Sequence, residues 1–311
     1  MVAFSLLSSS RAKMWILAAA MVLFCLLLPV QGAHSGAYVQ ETGSGWVNWM
    51  TGEVRAKGEA SRTELIGDDA ARERIRLRQA RINGQRNLYE ALQSVRINSS
   101  LTVADLLANN DHLRRHLRGI ASNAEVVEET VSEEGKLAVS LRANLWGPLS
   151  EMLIPDSVWY EDSPRASAPQ EEEDSREEEG YARARTYTGL VVDARGLDLE
   201  PALVCRVYGS KEELLYGPGV VRPSIAIGQG MAAYMRDLDR AMASARTGSR
   251  PLLVQAQERV ASYGAEFTVS EEAREMIAPG SSILQFLREG RVVILLGQEG
   301  KDQPREYHLE Q

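Results

Sequence analysis

The chain has 311 residues, a formal net charge of -8, 44% hydrophobic residues and 25% charged residues. That length suggests two domains with cores of their own, and the composition is that of an ordinary globular protein. The acidic balance argues against nucleic acid as a main partner.

The first stretch reads as a targeting segment rather than as fold. Arg11 and Lys13 give it a positive start, Met14 to Val30 is a near-continuous apolar run, and Val30-Gln31-Gly32-Ala33 offers small residues for cleavage near Gly32 or Ala33. Residues 1–32 are therefore read as a signal peptide, and the mature chain as periplasmic. The alternative is an uncleaved anchor, which would be the chain's only membrane contact; the run is a little short for the ~20 residues a span needs. Cys25 is no lipid-attachment site, because Phe24 precedes it and the apolar run continues past it. With the signal removed only Cys205 remains, so no intramolecular disulfide can form. Its run Ala202-Leu203-Val204-Cys205 suits a buried small hydrophobe.

The first domain is placed at residues 38–155. Trp46 to Met50, a turn at Thr51-Gly52, and Glu53 to Gly58 read as a hairpin. Trp46 and Trp49 cannot share one face of a regular strand, so one should enter the core and the other stay partly exposed. Asp68 and Asp69 suit a helix start. From there Ala70, Leu77, Ala80, Gly84, Leu88, Ala91, Leu92 and Val95 form one apolar stripe of a long helix, with Ile75, Ile82 and Tyr89 as a second line. Two apolar lines predict a helix covered on two sides. Ala80 and Gly84 would let another backbone come close, which offsets the ~1 kcal/mol that a helical glycine costs. Arg72, Arg74, Arg76, Arg78, Arg81 and Arg86 scatter around the axis as solvated flanks. Arg96 to Val103 reads as a short strand or extended exit. A second helix follows from Thr102 or Asp105, with Val103, Leu106, Leu107, Leu113, Leu117 and Ile120 inside and Gly119 near its end. Glu125 to Val131 and the alternating Leu137, Val139, Leu141, Ala143 and Leu145 make an antiparallel hairpin.

Residues 156–186 form an acidic linker, disordered by composition: Glu171-Glu172-Glu173-Asp174 and Glu177-Glu178-Glu179 repel one another and offer no apolar face. The second domain is placed at 187–311. Leu190 to Asp193, Ala202 to Tyr208, Glu213 to Tyr216, Leu252 to Val260, Glu266 to Val269 and Val292 to Leu296 read as strands. Gly230 to Ser244 has helical spacing through Met231, Tyr234, Met235, Leu238, Ala241 and Met242. Ser270 caps a helix with Glu271 and Glu272 in its first turn, and a short helix lies around Ile283 to Leu287. The expected class is α+β: helices on an antiparallel sheet first, then an α/β-type domain after the linker.

Three patterns invite a chemical reading. His112 and His116 could face one metal ion, but Arg114 and Arg115 oppose a cation and no third ligand is evident. Gly228-Gln229-Gly230-Met231-Ala232-Ala233 matches a dinucleotide fingerprint and is expected to open a helix, yet no acidic residue follows at the distance a ribose contact requires. Asp193 and Arg195 follow a buried strand and flank a turn closed by Gly196. A carboxylate there can serve as a base, or cap the turn and pair with the arginine. No nucleophile motif and no second carboxylate accompany it, so the structural role is preferred. Neither a metal nor a cofactor is expected, and no catalytic residue is assigned.

The run Ala80-Arg81 through Gly84, Asn87-Leu88, Leu92, Val95-Arg96-Ile97, Val103 and Leu106 resembles the helix-strand unit of the bacterial twenty-kilodalton outer-membrane lipoprotein family. It also resembles the related first domain of flagellar assembly protein T. Gly119-Ile120-Ala121, Ala124 to Val127 and the hairpin closed by Gly135 continue that likeness. Thr188 to Gly196, with Pro201-Ala202 and Tyr216-Gly217, is similar to a second segment found behind such domains in exported bacterial proteins. The resemblance implies a non-enzymatic envelope protein whose partners are envelope or flagellar basal-body proteins, with the outer membrane as one expected place of association. The alternative kept open is a periplasmic enzyme, such as an envelope hydrolase, or a ligand-binding module, with its site near Asp193 and Arg195.

Overall fold

The computed structural model describes residues 36–61, 68–132, 135–161, 187–277 and 281–297. The cleavage positions Gly32 and Ala33, the acidic runs of 171–179 and the chain beyond residue 297 lie outside the described residues. The protein is α+β, with an antiparallel five-stranded sheet and a mixed, largely parallel seven-stranded sheet.

The first sheet holds β1 (Val39–Thr42), β2 (Gly45–Asn48), β3 (Glu53–Ala60), β4 (Glu125–Val131) and β5 (Leu137–Asn144), in the order β1-β2-β3-β5-β4. Across it lies α1 (Asp69–Gln93), begun by Asp68, whose carboxylate accepts from Ala71 N at 2.6 Å. Ala80, Gly84, Leu88, Ala91 and Leu92 face the sheet. The small residues do what their size allows. Gly58 of β3 lies so close to α1 that a Cβ on it would come within 2.1 Å of Ala80 O and 2.0 Å of Gly84 N. The second apolar line behaves differently from expectation. Ile75 and Ile82 are each 48% exposed, and only Tyr89 is partly covered. Covering comes from the two helices that follow it, and the longer of them meets α1 at Gln85 and Tyr89, in its C-terminal half.

The second expected helix is two: α2 (Val103–Ala108), opened by a Thr102–Asp105 capping box, and α3 (Asp111–Ser122), capped by Asn110. Asn109 and Asn110 compete for backbone bonds and break the run. Gly119 lies near the end of α3, as expected, in its last turn, and the helix stops at Ser122. Residues 96 to 103 make no strand; Arg96 only bridges Thr102 around a tight turn. After β5 come α4 (Pro148–Leu153) and α5 (Ser157–Glu161). Val158 is buried, so the start of the supposed linker is folded, while 162–186 lie outside the described residues.

The second sheet holds β6 (Gly189–Asp193), β7 (Arg206–Tyr208), β8 (Leu214–Tyr216), β9 (Ala233–Met235), β10 (Pro251–Arg259), β11 (Glu266–Val269) and β12 (Val292–Leu295), in the order β8-β7-β11-β10-β6-β12-β9. The run β10-β6-β12-β9 is parallel. Its helices are α6 (Pro223–Gln229), α7 (Leu238–Met242), α8 (Glu271–Ile277) and α9 (Ser281–Arg288). The helix expected over Gly230 to Ser244 is instead β9 followed by the short α7. Tyr234 has helical neighbours in sequence, but β12 and the segment at Ala37 claim its strand on both edges. Tertiary pairing overrides local spacing here. Likewise Ala202 to Cys205 are not part of β7. Leu203 N and Val204 N donate across to Arg96 O and Ile97 O, at 3.0 and 2.8 Å.

The two sheets belong to one body. A single buried cluster runs through both, from Val47 and Trp49 to Val292 and Leu296. Tyr38 N donates to Tyr234 O at 2.9 Å, and the Trp49 indole meets the Tyr234 ring edge-on at 5.7 Å. Arg96 bonds Glu200 at 2.8 Å and lies over the Tyr263 ring.

Candidate functional site

Strand β6 sits between β10 and β12 with every residue buried, as a strand in the middle of a parallel run should be. Its last residue, Asp193, points its carboxylate into the turn that follows. In open parallel sheets this carboxyl edge, where chain connections leave in opposite directions, is the usual place for a ligand. Three of the residues singled out in the sequence meet there. Asp193 Oδ1 accepts from Arg195 N at 3.2 Å and from Arg195 Nε at 2.9 Å, while Oδ2 accepts from Arg195 Nη2 at 2.7 Å. The Asp193 side chain is 0% exposed and that of Arg195 is 11% exposed. Gly196 takes φ 92°, which closes the turn without Cβ strain. Ala194 N donates to Leu295 O at 3.0 Å, tying the turn to β12. A bidentate pair of this kind fixes both partners in orientation. The carboxylate therefore faces its own turn.

The dinucleotide-like glycines are in a different context from the one their pattern requires. Gly228 lies in α6, and Gly230 ends that helix with φ 78°. They finish a helix and lead into β9, so no helix N-terminus faces a phosphate. The Ile227 carbonyl at this end accepts from Gly147 N at 2.8 Å and from the Ser150 hydroxyl at 3.0 Å, both supplied from beyond β5. The Trp146 ring fills the space that a side chain at Gly230 or at Gly52 would need. The indole is thus held between two glycines of positive φ, one from each sheet's connections. Sequence reasoning missed this joint, because nothing local to Trp146 names its distant neighbours.

A second polar group, centred on the half-buried Arg246, also went unread. Arg246 donates to the carbonyls of Gln229, Gly230, Met231 and Gly290, at 2.6 to 3.0 Å. Nearby, the Tyr216 hydroxyl donates to Met231 O at 2.6 Å, and the Tyr234 hydroxyl donates to Ala202 O at 2.8 Å. Cys205 is fully enclosed beside them, and burial pushes its thiol up to about 12. This thiol is a protonated core residue, not a nucleophile.

Residues 189–298 match the family model described as the second domain of Treponema pallidum Tp0624. The matched stretch is similar to that domain from the first residue of β6 to just past β12, and it contains Asp193, Arg195 and Gly196. No curated protein matches the chain.

Two further features complete the picture. His112 and His116 stack with ring centroids 4.5 Å apart on α3, and among the described residues no group of three or more His, Cys, Asp or Glu is placed to hold a metal. A groove of 580 Å³ runs between β10 and α8, lined by residues that include Leu253, Gln255, Gln257, Glu258, Ser270 and Met276; Asp193 and Arg195 are not in its lining. Among the described residues no helix is long and apolar enough to cross a membrane.

Proposed function

We propose that this chain is an exported, non-enzymatic envelope protein that works through protein–protein contacts, in flagellar or outer-membrane assembly. Export rests on the basic start, apolar run and small residues of the first 33 positions. The observation that best supports a non-enzymatic role is the fate of Asp193. Its two oxygens are filled by Arg195 and by the backbone of its own turn, with the side chain fully enclosed. A carboxylate so engaged holds shape. Deletion of the gene, scored for motility and envelope integrity and combined with crosslinking, tests this reading. A deletion strain that swims normally and keeps its flagella removes the flagellar version.

A second reading is favoured by one observation: the Asp193–Arg195 turn lies at the carboxyl edge of a parallel sheet, where ligand and catalytic sites form. Asp193→Ala separates the two. Lost activity with an unchanged melting temperature supports an enzyme or ligand-binding module, whereas a large fall in melting temperature supports the structural role.

A further inference from the structure

Helix α1 has two faces with different fates. One packs on β3 and β5. The opposite face is crossed by α3 only toward its C-terminal half, where Gln85 Nε2 donates to Ser122 O at 2.7 Å and Arg118 lies 5.8 Å over the Tyr89 ring. Upstream of that crossing Ile75 and Ile82 stand 48% exposed. They are seven residues apart, which places them on one line about 10 Å apart along the axis.

The charged residues beside this line are arginines, and the neutral Gln79 between the isoleucines bonds Asn83 at 3.1 Å. Arg78 lies between the two isoleucines, Arg86 follows Ile82, and Arg74 and Arg81 flank one side. The acidic residues of the first turns are engaged elsewhere: Asp69 pairs with Arg72 at 2.8 Å and Glu73 with Arg76 at 3.0 Å. Among the described residues Arg74, Arg78, Arg81 and Arg86 have no ion-pair partner. Among the described residues this basic strip therefore carries no counter-charge, in a chain whose net charge is -8.

We infer that the uncovered half of α1 docks an acidic amphipathic helix of a partner protein. The occupant's apolar residues, repeated every seven positions, would meet Ile75 and Ile82. Carboxylates beside them would take the forks of Arg74, Arg78, Arg81 and Arg86, whose planar guanidinium groups match that geometry. An anionic membrane is the poorer fit. The main apolar stripe of α1 is committed to the sheet, and two isoleucines cannot bury a helix into the acyl boundary as interfacial helices do. The inference rests on the reading that this protein works through protein–protein contacts, and it names the surface and the chemistry of the partner.

The test uses the mature full-length chain and a labelled synthetic three-heptad peptide, with leucine at a and d and glutamate at e and g, followed by fluorescence anisotropy. Binding is expected to weaken at least ~10-fold in Ile82→Asp and in the double variant Arg78→Glu, Arg81→Glu, with unchanged melting temperatures because these side chains are exposed. A peptide with lysine in place of glutamate should not bind. Failure of the glutamate peptide to bind, or equal binding to the variants, overturns the inference. Phosphatidylglycerol vesicles that bind with the same dependence on these residues, where the peptide does not, overturn it in favour of a membrane. A photocrosslinking residue placed in cells at Ile82, or at Val131 and Val260, which are exposed apolar residues away from α1, separates this from the broader reading. Protein adducts at Val131 or Val260 with none at Ile82 sink the α1 surface alone; no protein adduct from any of the three sinks the contact function itself.

Discussion

Asp193 and Arg195 show what a buried ion pair does when its geometry is complete. The carboxylate has no exposure and accepts three bonds from one residue. Truncating the carboxylate breaks a buried pair and all three of these bonds at once, so Asp193→Ala is expected to cost roughly 3–5 kcal/mol, read by urea denaturation. The enclosed hydroxyl and thiol groups give a second prediction. Burial raises Cys205 to about 12 from an ordinary 9.0, and raises Tyr216 and Tyr234 well above 10.0. In the unfolded chain these groups lose protons first. The stability they lend is therefore whole below pH 9 and is lost as pH climbs towards 12, at about 1.4 kcal/mol per pH unit for each group titrating. Melting curves from pH 8 to 11 should fall steeply above pH 9, and less steeply in Cys205→Ala. A thiol reagent should leave Cys205 untouched at pH 8 until the protein unfolds.

Among the elements, the contact of β3 with α1 carries the sharpest prediction. A Cβ on Gly58 would strike the backbone of Ala80 and Gly84, which cannot yield. Gly58→Ala should destabilise by about 3 kcal/mol. A Cβ on Gly84 first meets the Leu141 side chain at 3.1 Å, which can move, and the helix gains about 1 kcal/mol of propensity, so Gly84→Ala should cost much less. Paired melting curves of the two variants check the difference. This contact was legible in the sequence, because small residues on the main stripe of a helix have a local signature. So were the β4–β5 hairpin, through its alternation, and the Ser270 cap, whose hydroxyl accepts from Ala273 N at 3.1 Å. Ala233 to Met235 was misread as helix because β12 and the Ala37 segment, remote in sequence, decide its state. The same holds for Leu203 and Val204, whose partners are Arg96 and Ile97. At the site, the Asp193 turn was visible from Gly196 and the buried strand before it. Trp146 against Gly52 and Gly230 was not, since no period links those three positions.

For the whole molecule, the seam between the sheets matters more than either sheet alone. Backbone bonds cross it at Tyr38, Gly147, Leu203, Val204 and Arg236, and the buried cluster passes through without a gap. Such a seam is unlike the loose contacts of domains that move independently. Calorimetry should therefore find a single unfolding transition, with the calorimetric and van't Hoff enthalpies equal. Two separated transitions would show that the seam is weak. A chain cut to residues 187–311 should expose the face that Trp49 and Trp146 cover, and bind a hydrophobic dye.

The bridge between Ala37 and Met235 sets an order of events during synthesis. The stretch at 36–39 leaves the ribosome early, yet its partner strand β9 begins only at Ala233, and Arg236 reaches back 197 positions to Val39. Contacts so far apart along the chain close slowly. Until then the leading segment has nothing to pair with, so the front of this protein is fastened only once most of the rest exists.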